Sequence, residues 1–141
     1  SSEYDMHRIF YQKRQGINAV VHTHSVYATT LACMHKSIEP IHYIVAYSGT
    51  DVPCIPYVQF GTYELAEAAF EAMGEDHNAC LLGNHGLLCC GADISYTMDI
   101  AQQTEFLAQL YYNTLLAGGG VNLEEKDLAA IIGQFGSYRQ A

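Results

Sequence analysis

The chain has 141 residues, half of them apolar, which is enough for one domain with a true core. Its net charge of −9, from 15 acids against 6 bases, argues against nucleic acid or an anionic membrane surface as a partner. An anionic substrate must then be gripped by local groups, a metal ion or a helix N-terminus. Charged residues make up only 15%, a low value that fits a surface partly covered by partner subunits and equally a deeply buried monomer core.

In chain order, Ser1-Ser2-Glu3 reads as a helix start, with a serine cap and an acid in the first turn, and the helix runs to about Arg14 before Gly16. A strand over Ala19 to His24 follows, then a helix opening at Ser25 and reaching about His35. Pro40, Gly49, Pro53 and Pro56 break the next stretch, so Ile41 to Ala46 and Val52 to Ile55 are at best short strands. Thr62 caps a helix through Met73, ended by Gly74. Two apolar runs, Ala79 to Leu82 and Leu87 to Cys90, are close enough to pair as a hairpin. Asp93 or Ser95 caps a long helix to Ala117, with Ile94, Met98, Ala101, Ala108, Leu110 and Leu115 as its apolar side. A last helix spans about Leu123 to Phe135.

The five cysteines, at 33, 54, 80, 89 and 90, contain no C-x-x-C pair and mostly lie in apolar runs. They read as small hydrophobes in a reduced, cytoplasmic protein, with adjacent Cys89 and Cys90 pointing to opposite strand faces. The longest mainly apolar stretch, Ile94 to Ala117, is interrupted by Asp99, Gln102, Gln103, Glu105 and Gln109 and does not suit a membrane span.

His22-Thr23-His24 carries the most chemistry. Residues two apart on a strand share a face, so the two imidazoles can converge on one ion while Thr23 points away. A third imidazole is available at His85, in the loop Gly83-Asn84-His85-Gly86 between the hairpin strands. Three neutral imidazoles with an open fourth position form the ligand set of a catalytic zinc ion, one per chain.

At these residues the chain resembles the class II aldolase/adducin family. The matching features are Ser1-Ser2-Glu3, Asn18 to His24, Ile41-His42-Tyr43, Phe60 to Leu65, Asn84-His85-Gly86-Leu87, Leu107 to Tyr111, and Tyr138 in the tail. The resemblance implies a three-layer α/β/α sandwich around a mainly antiparallel sheet, assembled as a homotetramer with active sites between subunits. It places the family's zinc ligands on His22, His24 and His85 and its catalytic acid on Glu3. The tyrosine donated across the subunit boundary falls on Tyr43, and the tail tyrosine on Tyr138 after a one-residue gap. Family members carry a longer segment before the Ser-Ser-Glu motif, so the chain is expected to be a single domain over 1–141 that lacks it.

The implied activity is zinc-dependent, reversible cleavage of L-fuculose 1-phosphate, or a similar deoxyketose 1-phosphate, to dihydroxyacetone phosphate and L-lactaldehyde. Breaking the C3–C4 bond leaves negative charge on the ketone fragment, which a divalent ion stabilises. Glu3 would move the proton at carbon, Tyr43 the proton at the aldehyde oxygen, and Ser1 and Ser2 would hold the phosphate. On pattern alone, the better reading of Glu3 is a first-turn acid complementing its helix dipole, and the family motif reverses it. His7, His35, His42 and His77 have no spacing that brings them to the site. Two alternatives stand beside the aldolase: a pentulose-phosphate 4-epimerase or sugar-phosphate dehydratase of the same family, and a non-enzymatic scaffold like the adducin head, which lacks the metal site.

Overall fold

This computed structural model describes residues 3–140, with side chains as far as residue 136. Four strands form one mixed sheet: β1 (Ala19–Thr23), β2 (Cys54–Ile55), β3 (Ala79–Leu82) and β4 (Gly86–Gly91), in the order β1-β4-β3-β2. β4 runs antiparallel to both β1 and β3, while the short β2 runs parallel to β3. Five helices cover the sheet: α1 (Tyr4–Lys13), α2 (Val26–Cys33), α3 (Tyr63–Met73), α4 (Ile94–Leu116) and α5 (Glu125–Gln140).

Strand alternation divides the core in two. Val20, Cys80, Leu82, Leu88 and Cys90 point into the layer of α1 and α3, where they meet Met6, Phe10, Leu65 and Met73. Val21, Ala79, Leu81, Leu87 and Cys89 point the other way, against Leu31 of α2 and Ile100, Leu107 and Ala108 of α4. The result is the expected α/β/α sandwich, and Cys89 and Cys90 do belong to opposite layers. Strands buried on both faces explain why β3 and β4 read as continuous apolar runs. Among the described residues, no helix is long and apolar enough to cross a membrane.

Several local expectations need correction. Glu3 occupies the N-cap position of α1, and Ser1 and Ser2 lie outside the described residues. The stretch from Ile41 to Ala46 is no strand. Tyr43–Tyr47 form a 3-10 helix, opened by His42, whose Nδ1 accepts the Ile44 N–H at 3.1 Å. Winding the segment sends Val45 into the core. Val52 makes only an isolated bridge with Ile38, and pairing in the sheet is confined to Cys54 and Ile55.

Asp93, not Ser95, caps α4, accepting the Tyr96 N–H at 2.8 Å. The buried face of α4 is Thr97, Ile100, Ala101, Thr104, Leu107, Ala108 and Tyr111, so Ile94 and Met98 are exposed. The apolar count missed this face because two threonines belong to it; Thr97 returns its hydroxyl to the Asp93 carbonyl at 2.7 Å. The last helix starts two residues later than expected and extends to Gln140.

Candidate metal centre

One end of the β1–β4 ladder carries the site. His22 is on the last turn of the β1 pleat, opposite Leu88, and His24 lies just beyond the strand. The turn between β3 and β4 brings His85 alongside. It closes with the His85 N–H donating to the Leu82 carbonyl at 2.9 Å, and Asn84 adopts the left-handed conformation at φ +56° that asparagine tolerates best among residues with a side chain.

Two glycines permit the crowding around that turn. A Cβ on Gly86 would stand 2.3 Å from the Thr23 carbonyl oxygen, and one on Gly83 would stand 2.6 Å from that of Ile55. Both are impossible contacts, so the His85 turn is wedged between the ends of β1 and β2 only because these positions lack side chains.

The three imidazoles meet edge to face, with ring centroids 4.7 Å apart for His22–His85, 4.9 Å for His22–His24 and 5.2 Å for His24–His85. One ligand atom from each lies within 4.8 Å of the others. His22 Nδ1 is 2.8 Å from the Leu87 carbonyl, which can only accept, so Nδ1 carries the proton and Nε2 is left with a bare lone pair. That Nε2 is buried without a hydrogen-bond partner, and so is Nδ1 of His85. Burial holds both His22 and His85 below the usual histidine value. For His22 the neighbouring His85 and His24 add to this, against the Leu87 bond and Glu3, which favour the proton; for His85, Glu3 opposes and His24 assists. Neutral rings with orphaned nitrogens aimed into one space fit a divalent cation of imidazole preference.

Glu3 joins this cluster, its Oε1 3.9 Å from His85 Nε2 with both side chains mostly covered. Its side chain makes no capping bond to α1. The cleft above the cluster has a volume of about 480 Å³ and is lined by Glu3, His22, His24, Tyr57, Phe60, Asn84 and His85.

Sequence reasoning gave no role to Tyr57, Asn84 or His7. Tyr57 and Phe60 are exposed aromatics in a loop bounded by Pro56 and Gly61, a signal that could have marked them. His7, one turn along α1 from Glu3, feels that carboxylate, although burial is the larger effect and lowers its pKa.

The other site expectations fall elsewhere. Tyr43 is exposed, stacks on His42 at 4.7 Å, and lines a separate groove of about 850 Å³ with Tyr47, Asp93, Tyr96, Asp99 and Phe135. Within one copy of the chain it does not line the histidine cleft. Tyr138 belongs to α5, but its side chain lies outside the described residues, as do Ser1 and Ser2.

Comparison with known proteins identifies the family. The sequence profile of the Class II Aldolase and Adducin N-terminal domain matches residues 1–112. The chain belongs to the class II aldolase/adducin family. It is 44% identical over 140 residues to the 5-deoxy-D-ribulose 1-phosphate aldolase of Bacillus thuringiensis serovar kurstaki, covering 99% of this chain and 65% of that protein. With the L-fuculose phosphate aldolase of Haemophilus influenzae it shares 40% identity, covering 98% of this chain and 64% of the relative. A solved L-fuculose 1-phosphate aldolase superposes with a TM-score of 0.92 at 37% identity, covering 96% of this chain and 63% of that one. The chain thus spans about two thirds of the length of the curated relatives it matches.

Proposed function

We propose that the chain carries the metal-binding and proton-transfer centre of an aldolase that reversibly cleaves a deoxyketose 1-phosphate to dihydroxyacetone phosphate and a short aldehyde. The observation that carries this reading is the convergence of three imidazoles, two of them with orphaned buried nitrogens, beside the Glu3 carboxylate. An adducin-head-like scaffold has no use for such a set.

His22, His24 and His85 hold the ion, zinc in our reading, and the Leu87 carbonyl fixes the ring of His22. When bound, the ion supplies positive charge to the oxygen on which electrons collect as the C3–C4 bond breaks. Glu3 delivers a proton to that carbon in cleavage and removes it in synthesis. Tyr43 exchanges the proton of the oxygen that becomes the aldehyde carbonyl. On the family resemblance, Tyr43 acts from a neighbouring subunit of a homotetramer and Tyr138 of the tail completes the site; the place of Tyr43 outside the histidine cleft of its own chain accords with that reading. Ser1 and Ser2 contact the substrate phosphate.

L-fuculose 1-phosphate is the substrate that the sequence resemblance favours, and relatives named for 5-deoxyribulose 1-phosphate keep that sugar beside it. The test is elemental analysis of the full-length protein with cleavage assays on both sugars. One divalent ion per chain and aldehyde release from at least one are expected. A metal-free protein inactive on both would leave the scaffold reading.

A further inference from the structure

Helix α2 begins two residues after His24 and ends beside the His85 turn, so its placement bears on two of the three ligands. Its start is unusual. Ser25 occupies the N-cap position with extended backbone, a residue type well suited to capping, yet its side chain makes no bond to the helix. Its hydroxyl instead meets Thr23 Oγ1 at 3.0 Å. No acid stands in the first turn of α2. Two N–H groups of the first turn, those of Tyr27 and Ala28, donate to Oε2 and Oε1 of Glu105 at 3.0 and 2.8 Å, across 78 and 77 residues of chain.

A carboxylate from α4 thus takes two of the free donors at the positive end of α2's dipole. α2 has only eight residues, too short to hold itself together in water, so this outside clamp and the core contacts of Ala28 and Leu31 fix where it starts. The connection runs through to the site. At its far end, the Ala32 carbonyl accepts the Asn84 N–H at 3.1 Å, and His35 Nε2 meets Asn84 Oδ1, one residue from His85. His24 is the exposed ligand of the three, so its aim depends on this turn more than on packing.

We infer that Glu105 is a positioning residue for the three-histidine centre, acting through α2 on His24 and on the His85 turn. This rests on the metal-centre reading above. The experiment uses the full-length protein stripped of metal, with cobalt(II) alone as probe, and reads its affinity and visible spectrum together with the thermal midpoint of the metal-free form. Glu105→Leu removes both acceptors and should weaken cobalt binding by roughly tenfold or more, as loss of outer support to a metal site does, and alter the spectrum. Glu105→Gln keeps one acceptor and should recover part of the affinity.

Tyr111→Phe, on the same helix, loses its 2.8 Å bond to Glu39 and serves as the structural control: its midpoint should fall with affinity and spectrum unmoved. A folded Glu105→Leu with native affinity and spectrum overturns the inference. Should that variant not fold, Glu105→Gln decides, and native binding despite a lowered midpoint overturns it equally. So does a Tyr111→Phe variant that loses as much affinity. Native protein that takes up no cobalt brings down the metal-centre reading itself, before any variant is made, and the inference with it.

Discussion

The two ends of the same β-ladder carry polar clusters of opposite character. At the end where Asn18 and Asn78 lead into β1 and β3, the buried Arg14 guanidinium donates to the carbonyls of His77 and Glu75 and, at 2.8 Å, to Asn78 Oδ1. Asn78 passes the chain on to the Tyr47 carbonyl at 3.1 Å, and His77 pairs with Asp51 at 2.7 Å. At the other end, two of the three buried side-chain atoms without a hydrogen-bond partner among the described residues are imidazole nitrogens; the third is Thr29 Oγ1 on α2. A closed network stabilises; an open one waits for a ligand. Both ends hold histidine, so residue type alone does not separate them. What separates them is whether each nitrogen has been answered.

The largest effect that sharpens this contrast is expected at the open end. His24→Ala should abolish stoichiometric metal binding and with it cleavage, a greater loss than the roughly 10–100-fold that follows removal of an outer partner. The thermal midpoint of the metal-free protein should hardly move, because His24 is exposed and its ring contacts are with the other two imidazoles. Dialysis followed by elemental analysis, with calorimetry on the metal-free form, checks both halves. A large drop in metal-free stability would mean that the open end is structural after all.

Next come the two proton carriers, which separate chemistry from metal binding. Glu3→Gln keeps the shape but removes the base, so proton exchange into dihydroxyacetone phosphate should fall by about 10²–10⁴-fold while metal content stays near normal. Tyr43→Phe removes only the proton at the aldehyde oxygen, so cleavage should slow while that exchange, which involves no aldehyde, is largely spared. Exchange and cleavage measured on both full-length variants give the answer. Equal losses in the two would dissolve the division of roles.

Much of the open end was legible in the sequence, and the reason is geometric. The period of a strand puts His22 and His24 together, and a glycine-flanked turn at a hairpin tip leaves few places for His85 to go. The layers were legible too, since alternation along β1, β3 and β4 assigns each residue to one face. What could not be read depends on partners far away in the chain. The 3-10 helix at Tyr43–Tyr47 turns Val45 into a core built by β1, β3, β4 and α4, elements far from it in the chain. The buried face of α4 turns on threonines that satisfy themselves backwards. Glu105 looked like a mere interruption of an apolar stretch, because its two acceptors serve N–H groups almost eighty residues earlier. The closed end was invisible for the same reason, as Arg14 has partners 61 to 76 residues on.

Arg14→Met tests that closed end with a smaller effect. The thioether fills most of the space but donates nothing, leaving the Glu75 and His77 carbonyls and Asn78 Oδ1 without their donor. A loss of about 1–3 kcal/mol is expected, seen as a shifted denaturant midpoint. Cobalt affinity at the far end of the ladder should stay within a factor of two or so, because distant sites act independently. A change in metal binding as large as that in stability would show the two ends to be coupled.

The smallest effect concerns the pH response of the same end. The hydrogen bond from His77 to Asp51 raises the His77 pKa above its ordinary 6.5; burial opposes, and the charges of Asp51 and Asp76 assist. A histidine with a higher pKa folded than unfolded binds more protons in the native state. Its contribution is therefore complete below about pH 6.5 and fades as pH rises through the raised value. Asp51 is 40% exposed, so water and salt screen the pair and the difference should stay below about 1 kcal/mol. Urea melts of the metal-free protein at pH values on either side of that window, for native chain and Asp51→Asn, read the effect directly. The native chain should gain on acidification relative to Asp51→Asn, and the gap should close at alkaline pH. A gap that widens with rising pH would mean that His77 is held neutral, and the closed end would then resemble the open one more than its hydrogen bonds suggest.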